Sequence, residues 1–146
     1  MRTDVVRHQS GLPPREIALV EASYARLQHR LVPLSIAFCE RLLATRPNLY
    51  RLFPIEDVEK RELAASFLGF VVTNLRSADR LGELLEHMGG RGLLNGLSAG
   101  GVDDIGRSLL ATLSDVEGEQ WTDDTSRAWA VTCAWTAAAL RRGARH

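Results

Sequence analysis

The chain has 146 residues in which 18 basic side chains balance 18 acidic ones, with two cysteines, four histidines and one lysine, Lys60, beside 17 arginines. That length fits one domain around a single core, and neutrality without a basic stripe argues against nucleic acid or an anionic membrane as partner. Cys39 and Cys133 lack the spacing of a zinc site or redox pair, no long apolar run could span a bilayer, and the charged start (Arg2, Asp4, Arg7) has no signal-peptide core, so a cytoplasmic domain is expected.

Residues 1–12 are polar and unpatterned and read as a loose tail, with the domain proper over 13–146. Pro13-Pro14 opens a first helix, because proline is tolerated where the first turn has no intrahelical partner for its N–H. Ile17, Val20, Tyr24, Leu27 and Leu31 mark its buried stripe, and Leu34, Phe38 and Leu42 mark a second helix after a break expected near Pro33. Pro47 to Pro54 reads as a short helix between two prolines. A longer helix is expected from about Asp57 to Leu75, with Leu63, Phe67, Val71 and Leu75 on one face.

Leu81, Leu84, Leu85 and Met88 define a short helix over about 79–91, interrupted by Gly89, Gly90, Gly92 and Gly96. Each interior glycine costs about 1 kcal/mol relative to alanine, so this helix is expected to fray past Met88. Gly100-Gly101 ends the weak stretch, and Val102, Ile105, Leu109, Leu110 and Leu113 restore the helical period. The last helix starts at Thr122 as N-cap, with Asp123 and Asp124 complementing the helix dipole, and runs to about Arg142. Arg141, Arg142 and Arg145 read as a solvated terminus. No segment alternates with period two, so the fold class is all-α, with six to eight helices.

Three stretches carry a resemblance to a known family. They are Phe38-Cys39-Glu40-Arg41-Leu42-Leu43 followed by Arg46-Pro47-Asn48-Leu49-Tyr50-Arg51-Leu52-Phe53-Pro54, then Phe70-Val71-Val72-Thr73-Asn74-Leu75, and lastly Gly106 to Leu113 joined to Trp121-Thr122 and Ala128-Trp129. In order and spacing they resemble the bacterial globins, especially the globin domain of flavohaemoglobins and their single-domain relatives, over about residues 14–142. The resemblance implies a globin fold.

It also implies where a haem pocket would lie. The iron-ligating His of the family falls at Gly92. The distal Tyr falls at Cys39, whose S–H is a weak donor, and the distal Gln or His falls at Lys60. The Tyr that buttresses the ligand falls at Val102. Phe53 matches the aromatic that packs on the haem face, and Ala64 and Met88 are further pocket positions. With ligand and buttress both replaced, a ligating His would also lack the partner that fixes its tautomer, so no haem of the usual kind and no catalysis are expected. The alternative is a haem b held by a substitute ligand that binds or senses oxygen or another diatomic gas. His87 is the candidate, about 140° around the helix from position 92.

Other chemistry is sparse. Asp103-Asp104 and Asp123-Asp124 are neighbours that do not share a helix face, so they read as first-turn residues rather than acid/base pairs. Gly89-Gly90-Arg91-Gly92 follows no strand and lacks the lysine of a phosphate loop. The sequence therefore predicts a haem-free ligand-sensing, regulatory or interaction module, monomeric or homodimeric. Its partner is expected to be a hydrophobic small molecule, such as a fatty acid, or a protein. An unfilled pocket would forfeit about 24 cal/mol per Å3, which is why a collapsed or occupied interior is expected.

Overall fold

A computed structural model describes residues 11–51 and 56–145. Among these residues there is no strand, and the chain forms six α-helices joined by short turns. They are α1 (Pro14–Leu27), α2 (Leu31–Thr45), α3 (Val58–Thr73), α4 (Ala78–Gly90), α5 (Ala99–Glu117) and α6 (Asp123–Ala144).

Local chemistry sets most of the helix starts. Pro14 takes the first position of α1. Asp57, Ser98 and Thr122 cap α3, α5 and α6, their side-chain oxygens accepting the N–H of Lys60 at 3.2 Å, Gly101 at 3.0 Å and Thr125 at 3.1 Å. Thr122 and the acidic first turn of α6 follow the sequence reading.

Other boundaries differ from it. The break between the first two helices is a 3-10 turn at Gln28–Arg30, and Pro33 lies inside the first turn of α2, where its missing N–H leaves nothing unsatisfied. Gly100 and Gly101 belong to α5 rather than preceding it, because the Ser98 cap starts the helix two residues earlier. Asp103 and Asp104 therefore sit in the second turn of α5. Pro47–Arg51 is a 3-10 helix, and residues 52–55, with Phe53 and Pro54, lie outside the described residues. The expected face of α3 holds at Val71 and at Leu75, just past the helix end, but Leu63 is 68% exposed. The helix instead turns Arg61, Ala64, Ala65 and Leu68 inward.

The glycines of α4 have a use that periodicity alone does not reveal. Helix α4 runs on to Gly90 instead of fraying after Met88, and its most extensive contact is with α6. A Cβ on Gly89 would stand 2.8 Å from the carbonyl carbon of Leu140, and one on Gly143 would stand 2.5 Å from that of Glu86. The two backbones touch directly at both crossings, and only glycine permits it. Arg142 pairs with Glu86 at 3.0 Å across the same junction, so the terminal arginines are not simply solvated.

Buried apolar residues form two clusters. The larger takes Ile17, Val20, Tyr24 and Leu27 from α1, Val71 and Val72 from α3, Leu81 and Leu85 from α4, Leu113 from α5, and Trp129, Ala139 and Leu140 from α6. The smaller takes Phe38, Cys39 and Leu42 from α2 with Leu49, and Leu43, Leu97 and Ile105 pack on it. Leu109 of α5 packs against both. At the α1–α5–α6 junction, Trp129 donates from its indole nitrogen to Ser23 Oγ at 2.9 Å. Ser23 in turn donates to Glu117, a carboxylate with a 1% exposed side chain that also accepts from Arg26 at 2.6 Å.

Candidate functional site

The expected pocket positions fall on α2, α3 and the end of α4, and α2 packs against both α3 and α5. Cys39 is buried on α2, and burial pushes its thiol above the usual range although the charge of Arg61 pulls the other way. Ala64 is half-buried on α3. Met88 is half-buried near the end of α4 and packs on the larger cluster. Lys60 is exposed, so α3 presents it to solvent while its own N–H completes the Asp57 cap. Cys39 thus belongs to the smaller cluster and Met88 to the rim of the larger one, while the Lys60 side chain lies outside both.

Gly92 ends α4 in a specific way. Its φ is +95°, the left-handed region that side chains other than glycine resist. Its N–H donates to the carbonyl of Gly89 at 3.1 Å, and the next N–H, that of Leu93, donates to Met88 at 3.3 Å. This pair of bonds is the Schellman motif, with Gly92 as the residue just past the C-cap. A Cβ at Gly92 would also meet Asn95 Nδ2 at 2.7 Å.

The described imidazoles lie elsewhere. His29 is exposed in the turn after α1. His87 is exposed, as its polar neighbours in sequence suggest, and lines an open surface groove with Glu83, Glu86, Gly90, Arg91 and Gly143 along the α4–α6 junction. Among the described residues no group of three or more His, Cys, Asp or Glu side chains could hold a metal ion. A second groove, of about 630 Å3, runs between Pro47–Arg51 and the Asn95-Gly96 turn. Behind it, Asp104 of α5 accepts from Arg46 and, at 2.5 Å, from Arg107, and these two guanidiniums hold its carboxyl below the usual range. Cys133 is half-buried on α6, and its apolar surroundings push the thiol up to about 11, consistent with a packing role.

One residue of this region escaped the sequence reading. Arg61 stands near Cys39, and its Nε is buried with no hydrogen-bond partner. Its signal was available in the spacing, since Arg61, Ala64, Ala65 and Leu68 share a helix face.

This arrangement of helices is the globin fold. The crystal structure of a hexacoordinated heme protein from an anhydrobiotic tardigrade is similar to it with a TM-score of 0.77, at 18% identity, over 92% of this chain and 96% of that one. The flavohemoglobin of Malassezia yamatoensis, determined with bound FAD and heme, is similar with a TM-score of 0.71 at 21% identity, over 92% of this chain and 37% of that one. No protein-family model matches the chain, and a search of curated proteins finds no match.

Proposed function

We propose that this chain is a globin-fold module that works without haem, as a ligand-sensing, regulatory or interaction domain rather than an enzyme. Gly92 carries this reading. In the pattern of the bacterial globins it takes the place of the iron-ligating His, and the helix end around it is built for glycine: φ is +95° and the Schellman bonds close the helix before the position is reached. A histidine there would hold a left-handed backbone at about 1–2 kcal/mol, with its Cβ against Asn95. Neither described imidazole replaces it, because His29 and His87 are both exposed. Val102, at the place of the buttressing Tyr, has no side-chain hydrogen bond to offer. These residues do not fit a His-ligated iron, although the two similar solved proteins are heme proteins.

A region left without a cofactor must be closed by side chains or filled by something else. The inner face of α3 is covered only in part: Ala64, Ala65, Phe67 and Leu68 are all half-buried, whereas Val71 and Val72 farther along are fully so. That leaves apolar surface on α3 that a hydrophobic small molecule or a protein partner would cover. Among the described residues no helix is long and apolar enough to cross a membrane.

Titration of the purified protein with hemin, followed in the visible spectrum, tests the reading. The expected result is no sharp Soret band at stoichiometric hemin. A sharp band that disappears in His87→Ala would overturn it in favour of haem b held by that residue.

A further inference from the structure

We propose that the outer face of α6 is a homodimer interface, on which a second copy of the chain packs antiparallel to the first about a two-fold axis at Ala134. The inference goes beyond the haem-free reading and does not rest on it.

Helix α6 carries no charged residue from Ala128 to Leu140. A helix that is apolar all round is ordinarily buried on every side, whereas a surface helix bears charges on its outer face. Helices α4 and α5 follow that rule, exposing Arg80 and Glu83 on one and Asp103, Arg107 and Asp115 on the other. On α6 the exposed positions of the uncharged stretch are Ala130, Val131, Ala134 and Ala138, with Val131 exposed to 38%. Spacings of three and four residues join them into one continuous apolar strip rather than scattered single side chains.

The occupant follows from the charges at the two ends of that strip. Asp123 lies eleven residues before Ala134 and Arg145 lies eleven after it, and both are exposed. Eleven residues make three helical turns to within about 20°, so all three residues share one face. Among the described residues neither Asp123 nor Arg145 has an ion-pair partner. A copy rotated by half a turn about Ala134 sets the Asp123 of each chain opposite the Arg145 of the other. A parallel copy would set like charges together at both ends. Arg127 and Arg141 also come opposite one another, but each is held within its own chain, by Asp124 at 2.7 Å and by Asp103 at 3.5 Å.

Small side chains suit a second helix, because they let two axes approach to about 8 Å. They suit a membrane surface poorly, since an interfacial helix inserts bulky apolar residues. The 22 residues of α6 offer a face about 33 Å long and about 10 Å wide. That is below the roughly 800 Å2 per partner of a standard interface, so the pair is weak and reversible. Because the same patch serves both copies, assembly closes at two.

Sedimentation equilibrium of the purified chain, from about 1 μM to 1 mM, tests this. Expected is a monomer–dimer equilibrium with no larger species. Ala134→Glu brings two carboxylates together at the axis and should weaken association by at least about 10-fold, with helicity by circular dichroism unchanged. Asp123→Arg alone and Arg145→Asp alone should each weaken it by about 10-fold, because two attractive pairs become repulsive. An equimolar mixture of those two variants should recover wild-type association, since only the mixed dimer pairs opposite charges at both ends. A chain that stays monomeric at 1 mM, an Ala134→Glu variant that associates like the wild type, or a mixture no stronger than its components would overturn the proposal.

Discussion

Replacing Gly89 or Gly143 by alanine sets two effects of opposite sign against each other. Helix propensity favours the change by about 1 kcal/mol, because alanine restricts the unfolded chain and fits a helix interior better. The crossing of α4 and α6 opposes it. A Cβ on Gly89 would lie 2.8 Å from the Leu140 carbonyl carbon and 3.1 Å from its Cα, and one on Gly143 would lie 2.5 Å and 2.7 Å from the same atoms of Glu86. Carbon atoms rest about 3.5–4 Å apart, so the helices must separate by about 1 Å, and a gap of that size forfeits up to about half of each dispersion contact. Leu81, Leu85 and Leu140 are buried at this interface and lose packing together. The obstacle is backbone and cannot rotate aside, which places the strain near the top of the 1–3 kcal/mol range for overpacking, for a net loss of about 2 kcal/mol per substitution. At roughly 4 °C per kcal/mol for a chain of this size, each variant should melt about 8 °C below the wild type. The double variant should lose less than the sum, because the first substitution already parts the helices. Gly106→Ala is the control: it lies inside α5 with nothing within 4 Å of an added Cβ, and it should gain about 0.5–1 kcal/mol. Thermal and urea unfolding followed by circular dichroism give all four values. If Gly89→Ala and Gly143→Ala stabilise as Gly106→Ala does, the direct backbone contact is refuted.

Three further substitutions probe other parts of the fold. Gly92→Ala should lose about 1–2 kcal/mol in urea unfolding, the strain of a left-handed alanine, and an unchanged midpoint would rule out the positive φ. Ser23→Ala removes the partner of the Trp129 indole N–H and one partner of Glu117, and should cost about 1–3 kcal/mol with a shift in tryptophan emission; a loss below about 0.5 kcal/mol would show that the network is not formed. Asp104 has its folded pKa depressed, so its pairs with Arg46 and Arg107 stabilise the protein above the ordinary carboxylate value of 3.8, and that contribution is lost as pH falls through the lower folded value. Asp104→Asn should therefore be less stable than wild type at neutral pH and converge on it at acid pH. A difference that does not change with pH would contradict the charge pairing.

The sequence made α1 and α6 legible because their starts depend on neighbours in the chain: Pro14 at the first turn, and Thr122 followed by two aspartates. Failures arose where a residue's meaning lies far along the chain. Gly89 looks like a helix breaker until Gly143 and Leu140 are brought against it. Gly100-Gly101 reads as an ending, yet Ser98 has already capped the helix that contains them. Leu63 and Arg61 differ by two positions, and the face of α3 that turns inward is decided by where the helix starts and what it meets. Apolar character alone selected Leu63 for the core, and the structure buries part of the arginine instead. At the candidate site, Cys39, Ala64, Met88 and Gly92 were named from a resemblance, whereas the burial of the Arg61 Nε near Cys39 emerges only from the surroundings that folding creates.

The glycine crossing also apportions motion within the domain. Helices that touch backbone to backbone at two points cannot slide past each other without a clash, so α4 and α6 should open only with the whole molecule. Helix α3 is seated on fully buried side chains only at Val71 and Val72, and the preceding residues are half-covered at most. Its first two and a half turns should therefore open locally and exchange amide hydrogens ahead of α4 and α6.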